Sequence, residues 1–197
     1  MVTEIELKAH VKDKKNLKLR LSEKAEYICA FEKEDTYWFL SDRDEAAESA
    51  PGKIRLRREK RILSDGTGKS AIFVTFKTKE VKDGIEINDE REFELSSPSS
   101  RSETDFEEFA KRIGYKPGAY KKKKGWAYSA GGISAELVEV KSLGWFIELE
   151  ILADNKRSTT ILKREKKLLD FLDSLGIERE AIESRFYSEM LAKADKT

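Results

Sequence analysis

The chain is poor in the residues that most often carry catalysis: it has a single cysteine, Cys29, and a single histidine, His10, in 197 residues. One cysteine excludes an internal disulfide and a thiolate zinc site. One histidine excludes a two-histidine metal centre and leaves a Ser-His-Asp arrangement only if His10 is its base. Acid–base work therefore falls to Glu, Asp, Lys, Tyr or bound water. Cys29, set among Tyr27, Ile28, Ala30 and Phe31, reads as a packing residue. Long apolar runs are also missing. No stretch approaches the roughly 18 apolar residues of a membrane span, and the start, MVTEIELKAH, shows no apolar signal region, so a cytoplasmic protein is expected. The net charge is only +1, which argues against a general nucleic-acid or membrane-surface role.

Charge of both signs is abundant, at 39% of residues, the same share as the hydrophobic residues, and more than a globular surface ordinarily needs. The length and the lack of a composition break point to one domain over residues 1–197. Within it, TEIELKAHV at 3–11 alternates strictly, with Glu4, Glu6, Lys8 and His10 on one face and Ile5, Leu7, Ala9 and Val11 on the other. This is a strand with one fully charged side. Leu17, Leu21, Ala25 and Ile28 recur at helical spacing and predict an amphipathic helix over 14–29, followed by the strand AFEKEDTYWFL.

A surface loop is expected at 41–52, then the strand KIRLRRE with Lys53, Arg55 and Arg57 on one face. LSDGTGK reads as a hairpin turn into AIFVTFKTK, and Asp83-Gly84 as a turn into IEINDEREFEL. After the loop SSPSSRS, Thr104 and Glu107 have capping-box spacing, and Phe106, Phe109, Ala110 and Ile113 form the apolar stripe of a helix ending at Gly114. AYKKKKGWAYS, ISAELVEV and WFIELEIL are further strands. Ser158 is placed as the cap of a helix running through Ile161, Leu168, Leu172 and Leu175, with a last helical piece near 178–193. The fold class is therefore α+β: a mainly antiparallel barrel of about eight strands with helices packed outside.

The alternation alone fits two arrangements, a sheet with one wet face or a barrel whose charged faces share an interior. Glu4 with Glu6 and Glu148 with Glu150 supply paired carboxylates, while Arg55 with Arg57, Lys77 with Lys79 and the run Lys121–Lys124 supply cations. Enclosed together, these groups would need a ligand carrying both signs, because an unpaired buried charge is costly. A magnesium or manganese ion on a polyphosphate is such a ligand: carboxylates hold the hard cation, and Arg and Lys hold the phosphoryl oxygens.

The sequence resembles the CYTH family, the triphosphate tunnel enzymes, in its bacterial class IV adenylyl-cyclase-like branch, related to thiamine triphosphatase. Glu4-x-Glu6-x-Lys8 is similar to the family signature, and KEDTYW at 33–38, IRLR at 54–57, TFK at 75–77, REFE at 91–94, LGWFIELE at 143–150 and SRFYSEML at 184–191 follow in the family's order. The resemblance implies an eight-stranded tunnel that binds a triphosphate with Mg2+ or Mn2+. It implies Glu4, Glu6, Glu148 and Glu150, with Glu92, as metal ligands or metal-shell residues, and Lys8, Arg55, Arg57 and Lys77 as phosphate contacts. Glu4, Glu6 and Lys8 would be the catalytic set.

Two positions depart from the family pattern. Its Lys-x-Arg strand is YKKKKGW here, where Lys121 and Lys123 share the parity of the family positions. Its Leu-Asp ahead of LG-x-F is Leu137-Val138 here, so one carboxylate is lost unless Glu136, on the same face, replaces it. The implied activity is phosphoryl transfer from tripolyphosphate, thiamine triphosphate or a nucleoside triphosphate to water. The alternatives are formation of cyclic AMP and pyrophosphate from ATP, and a polyphosphate- or nucleotide-binding module without turnover. No nucleic-acid or membrane partner is implied, and the oligomeric state, a homodimer included, is left open. Gly68-Lys69-Ser70 is similar to the end of a P-loop, but the first glycine of that motif would fall at Leu63 and a strand follows, so it is set aside.

Overall fold

A computed structural model describes residues 3–40, 53–82, 84–95, 100–153 and 157–194. Eight antiparallel strands close into a barrel in the order β1-β5-β4-β3-β2-β6-β7-β8. They are β1 (Thr3–His10), β2 (Glu26–Leu40), β3 (Ile54–Leu63), β4 (Gly68–Lys82), β5 (Ile85–Glu94), β6 (Tyr115–Ala130), β7 (Ile133–Val140) and β8 (Gly144–Ala153). The first and last strands are neighbours: β1 pairs with β8 from Thr3↔Ala153 to His10↔Phe146, and with β5 from Thr3↔Asp89 to Leu7↔Ile85. The expected loop at 41–52 lies outside the described residues.

Local chemistry explains the hairpins. Gly131 and Gly132 both have positive φ, 55° and 84°, and join β6 to β7 in two residues; a side chain at either would be strained. Gly125 has another role, since a Cβ there would stand 2.1 Å from the Leu137 carbonyl oxygen, so glycine allows β6 to approach β7. Gly68-Lys69-Ser70 opens β4, a strand and not a phosphate loop.

The apolar faces of β1, β7 and β8 point outward and are covered by helices α1 (Lys14–Lys24) and α3 (Ser158–Ser174). Ile5, Leu7, Ala135, Leu137, Ile147 and Leu149 meet Leu17, Leu21, Leu168 and Leu172 there, all buried. Each of these leucines and isoleucines stabilises the fold by about 1.5–3 kcal/mol when fully buried. Helix α2 (Ser100–Arg112) covers a second cluster of Trp38, Leu56, Ile72 and Val74.

Helix ends differ from expectation. α1 stops at Lys24 because Ala25 turns extended, at φ −142° and ψ 148°, and the Tyr27–Phe31 stretch joins β2, where it pairs with β3 and β6. The sheet thus overrides a helical spacing made of β-forming residues. Asp13 caps α1 through Lys15 and Asn16, at 3.1 Å each. α2 begins at Ser100, so Thr104 lies inside it rather than at its cap, and only Phe106 and Ala110 of the expected stripe face the barrel; Phe109 is 59% exposed. The N-cap of α3 is Arg157, with Ser158 its first helical residue. The expected piece at 178–193 is divided into a 3-10 turn at Arg179–Ala181, an extended link, and α4 (Tyr187–Ala194). Ile182 bridges Ala9 across that link. Among the described residues no helix is long and apolar enough to cross a membrane.

Candidate functional site

The charged strand faces point into the barrel. Lys8, Lys33, Asp35, Lys121, Lys123 and Glu148 are all buried, and Asp35 is wholly inaccessible. This rejects the wet-sheet arrangement, which needs these groups in solvent. Two adjoining cavities lie in the lumen. One, of about 260 Å3, is lined by Glu4, Glu6, Glu90, Glu92, Glu136 and Glu150 and, among them, by Arg55, Arg57 and Lys123. The other, of about 70 Å3, is lined by Lys8, Lys53, Lys121, Tyr37 and Thr75, and by Phe186 and Tyr187 from the start of α4. Glu6, Arg55, Arg57, Lys123 and Glu148 line both, so the two form one charged passage.

The positions expected from sequence are distributed as follows. Lys8 donates to Glu86 at 2.7 Å. Arg55 contacts Glu90 at 2.9 Å and Glu92 at 3.2 Å, and Thr75 Oγ1 donates to Glu92 at 2.7 Å. Arg57 forks onto Asp35 at 2.7 and 3.0 Å. In the lysine run, Lys121 and Lys123 enter the lumen, while Lys122 and Lys124 lie outside on Glu34 and Glu139. Lys123 donates to Glu148 at 2.6 Å. Glu6 stands opposite Glu150 in register, and Lys8 opposite Glu148. Lys77 is opposite Glu90 on β4, its side chain outside the described set. His10 stands half-exposed, its Nε2 3.0 Å from Glu183.

Several lumen residues were not singled out from sequence. Asp35 holds Arg57 and also lies 3.2 Å from Lys121; Lys33 meets Glu136 at 2.5 Å; Glu86 receives Lys8. The signal was present as alternation, because Phe31, Lys33, Asp35 and Tyr37 share one face of β2, and Glu86 shares the face of Glu90 and Glu92 on β5. Tyr187 could not be placed from periodicity. Its hydroxyl donates to Glu148 at 2.8 Å, and the ammonium groups of Lys8 and Lys121 lie over its ring at 5.6 and 5.3 Å.

Electrostatics follow from this pairing. Burial alone would raise the Asp35 carboxyl, but Arg57 and then Lys121 outweigh it and hold Asp35 well below the usual carboxylate range. Glu148 is held low in the same way, Lys123 overcoming burial. Burial lowers the Lys33 ammonium, partly offset by Glu136. Burial and then the Glu148 charge push the Tyr187 hydroxyl well above its ordinary value, so it remains a donor at neutral pH.

Val138 lies on the lumen face of β7, the face of Glu136, yet it is fully buried among Phe31, Val140, Phe146, Tyr187 and Met190. The lost carboxylate is thus matched by an apolar plug at that level of the barrel. Glu136 sits two residues along, opposite Glu148 in register and 3.7 Å from Lys123.

Hard carboxylate oxygens are the donors that Mg2+ or Mn2+ prefers. Glu4, Glu6, Glu148 and Glu150 bring four such groups from β1 and β8 to one cavity, so the donor chemistry fits. Among the described residues no three acidic, histidine or cysteine side chains already converge at metal-holding distance, and Glu148 is engaged by Lys123.

No curated protein sequence matches the chain. Among solved structures, the PH1819 protein of Pyrococcus horikoshii is 26% identical, with a TM-score of 0.77 over 96% of this chain and 98% of that one. The PH1012 protein of the same organism is also 26% identical, with a TM-score of 0.69 over 94% and 98%. HpAC1 from Hippeastrum, described as having a dominant triphosphatase activity, shares the fold at 16% identity, with a TM-score of 0.62 over 100% and 97%. The sequence model of the CYTH domain matches residues 3–187, from the first described strand to the tyrosine that enters the lumen. The chain belongs to the CYTH domain family.

Proposed function

We propose that the passage binds a triphosphate together with Mg2+ or Mn2+ and transfers its terminal phosphoryl group to water. One observation carries this reading: carboxylates from β1 and β8 and cations from β3 and β6 share a single buried passage. Lys8, Arg55, Arg57, Lys121 and Lys123, with Lys77, hold the phosphoryl oxygens by charge-assisted bonds that replace the present internal pairs. Glu4, Glu6, Glu148 and Glu150, with Glu92, hold the divalent cation, which when bound supplies Lewis-acid stabilisation of the phosphoryl oxygens. Water attacks the terminal phosphorus in line, the bridging P–O bond breaks, and the diphosphate-bearing fragment leaves with the electron pair. Fixed cations neutralise the charge that develops, so positioning and electrostatics supply the rate. Glu4, Glu6 and Lys8 are the proposed catalytic residues.

Formation of cyclic AMP and pyrophosphate from ATP is the second reading, and the product assay below separates the two. The proposed setting is the cytoplasm, with a small-molecule substrate and no nucleic-acid or membrane partner.

The test is a steady-state panel of tripolyphosphate, thiamine triphosphate and ATP, each with Mg2+ or Mn2+. Metal-dependent phosphate release is expected. Cyclic AMP with pyrophosphate would assign the cyclase reading, and tight binding without turnover the binding-module reading. Glu4→Gln and Glu6→Gln should nearly abolish turnover with the melting temperature retained, since β1 packs through Ile5, Leu7 and Ala9. Normal activity and metal dependence in both variants would remove the assignment.

A further inference from the structure

Among the described residues, the two helical layers leave part of the barrel wall uncovered. α2 lies over Trp38, Leu56, Ile72 and Val74, and α1 and α3 lie over β1, β7 and β8. Between them, the outer face of β2, β3 and β6 stays open at the exposed residues Glu32, Lys60, Ile62 and Lys124. A cleft of about 820 Å3 runs there, within the roughly 300–1,000 Å3 of small-molecule sites. It shares only Arg61 with the two lumen cavities.

Its floor and rim have distinct chemistry. Trp126 of β6 and Trp145 of β8 lie nearly parallel, their ring centroids 5.7 Å apart and their planes 12° apart, and neither is fully buried. Lys18 and Lys14 of α1 hold their ammonium groups 3.7 and 4.2 Å from these two rings. Lys60 of β3 and Lys69 of β4 also line the cleft. In a chain of net charge +1, this cleft gathers five basic side chains, Lys14, Lys60, Arg61, Lys69 and Lys124, against two acidic ones, Glu32 and Glu139. Indole surfaces attract flat rings, and lysines attract phosphate oxygens. Neither feature alone selects a ligand, but together they favour a planar ring carrying an anionic group.

We propose that this cleft is a second binding site, separate from the passage, that takes a nucleoside monophosphate or a like planar aromatic anion. The ring lies against the indole floor, and the phosphate meets Lys60 and Lys69. The site does not depend on turnover in the barrel.

The protein contains three tryptophans, and the third, Trp38, is buried under α2. A Trp38→Phe protein therefore reports the cleft alone by its fluorescence. Titration with adenosine 5′-monophosphate should quench the emission saturably. In the Lys60→Glu/Lys69→Glu variant, which changes two exposed side chains, the apparent Kd should weaken about tenfold or more. Calorimetry of the unaltered protein under the same conditions gives the same reading if Trp38→Phe fails to fold. No saturable binding, or binding unchanged in the double variant, would overturn the proposal.

Discussion

The four consecutive lysines of β6 meet two different environments. Lys121 and Lys123 are buried in the lumen, where they face Asp35, Tyr37 and Glu148. Lys122 and Lys124 lie on the outer wall, paired with Glu34 and Glu139 in partial contact with water. β3 repeats the contrast, since Arg57 grips the inaccessible Asp35 and its neighbour Arg58 meets Glu103 and Glu34 on the surface. Residue type is the same on both sides, and the pleat decides the side. Inside, each charge has lost its water and depends on its partner; outside, solvent screens the pair and its loss costs little.

The strongest way to break this contrast is Asp35→Ala. It leaves Arg57 and Lys121 without the anion between them, and should destabilise the fold by roughly 3–5 kcal/mol, read by urea unfolding. Glu34→Ala on the outer face should cost no more than about 1 kcal/mol. A similar cost for both would erase the distinction between lumen and wall.

The same inner carboxyls set the response to acid. Asp35 and Glu148 titrate below their unfolded values in the native state, so their stabilisation is complete above about pH 4 and is lost as pH falls through the folded values. The melting temperature should therefore drop below pH 4, and less steeply in an Asp35→Asn protein. A parallel acid limb in that variant would assign the loss to other groups.

Val138→Asp asks whether the lumen face accepts a charge wherever it is placed. Packed against Phe31, Phe146 and Met190, the carboxyl is buried at an apolar level, and a loss of about 3 kcal/mol is expected, with metal activation unchanged. A stable variant with a lower metal requirement would instead make position 138 a metal-site position.

The smallest effect compares neighbours in ligand binding. Lys123→Ala should weaken tripolyphosphate affinity by roughly 1.5–3 kcal/mol, the worth of a bond to a charged group, whereas Lys124→Ala should stay within about 0.5 kcal/mol. Calorimetric titration of both variants checks this, and equal losses would place the ligand outside the barrel.

Much of the site was legible from alternation. Period two put Glu4, Glu6 and Lys8 on one face, Arg55 with Arg57 on another, and Lys121 with Lys123 on a third, and the structure turns all three faces inward. Asp35 and Lys33 obey the same alternation, but a lone pattern on β2 does not reveal that Arg57 and Glu136 stand opposite them. Tyr187 was illegible for a different reason: it enters the lumen from a short helix docked by an extended link, and no periodicity in α4 records that. The helix expected to continue through Ile28 failed because pairing with β3 and β6 outweighed spacing.

By itself the sequence determined the strand faces, which of them carry charge, and the Gly131-Gly132 turn, because pleat and turn geometry are properties of neighbouring residues. Only the tertiary structure decided that the charged faces look inward, which cation answers which carboxylate, and where α1 ends. The first two rest on β1 pairing with both β5 and β8 to close the ring, and the third on β2 pairing with β3 and β6. Closure removes the charged faces from water, and no local pattern carries that information.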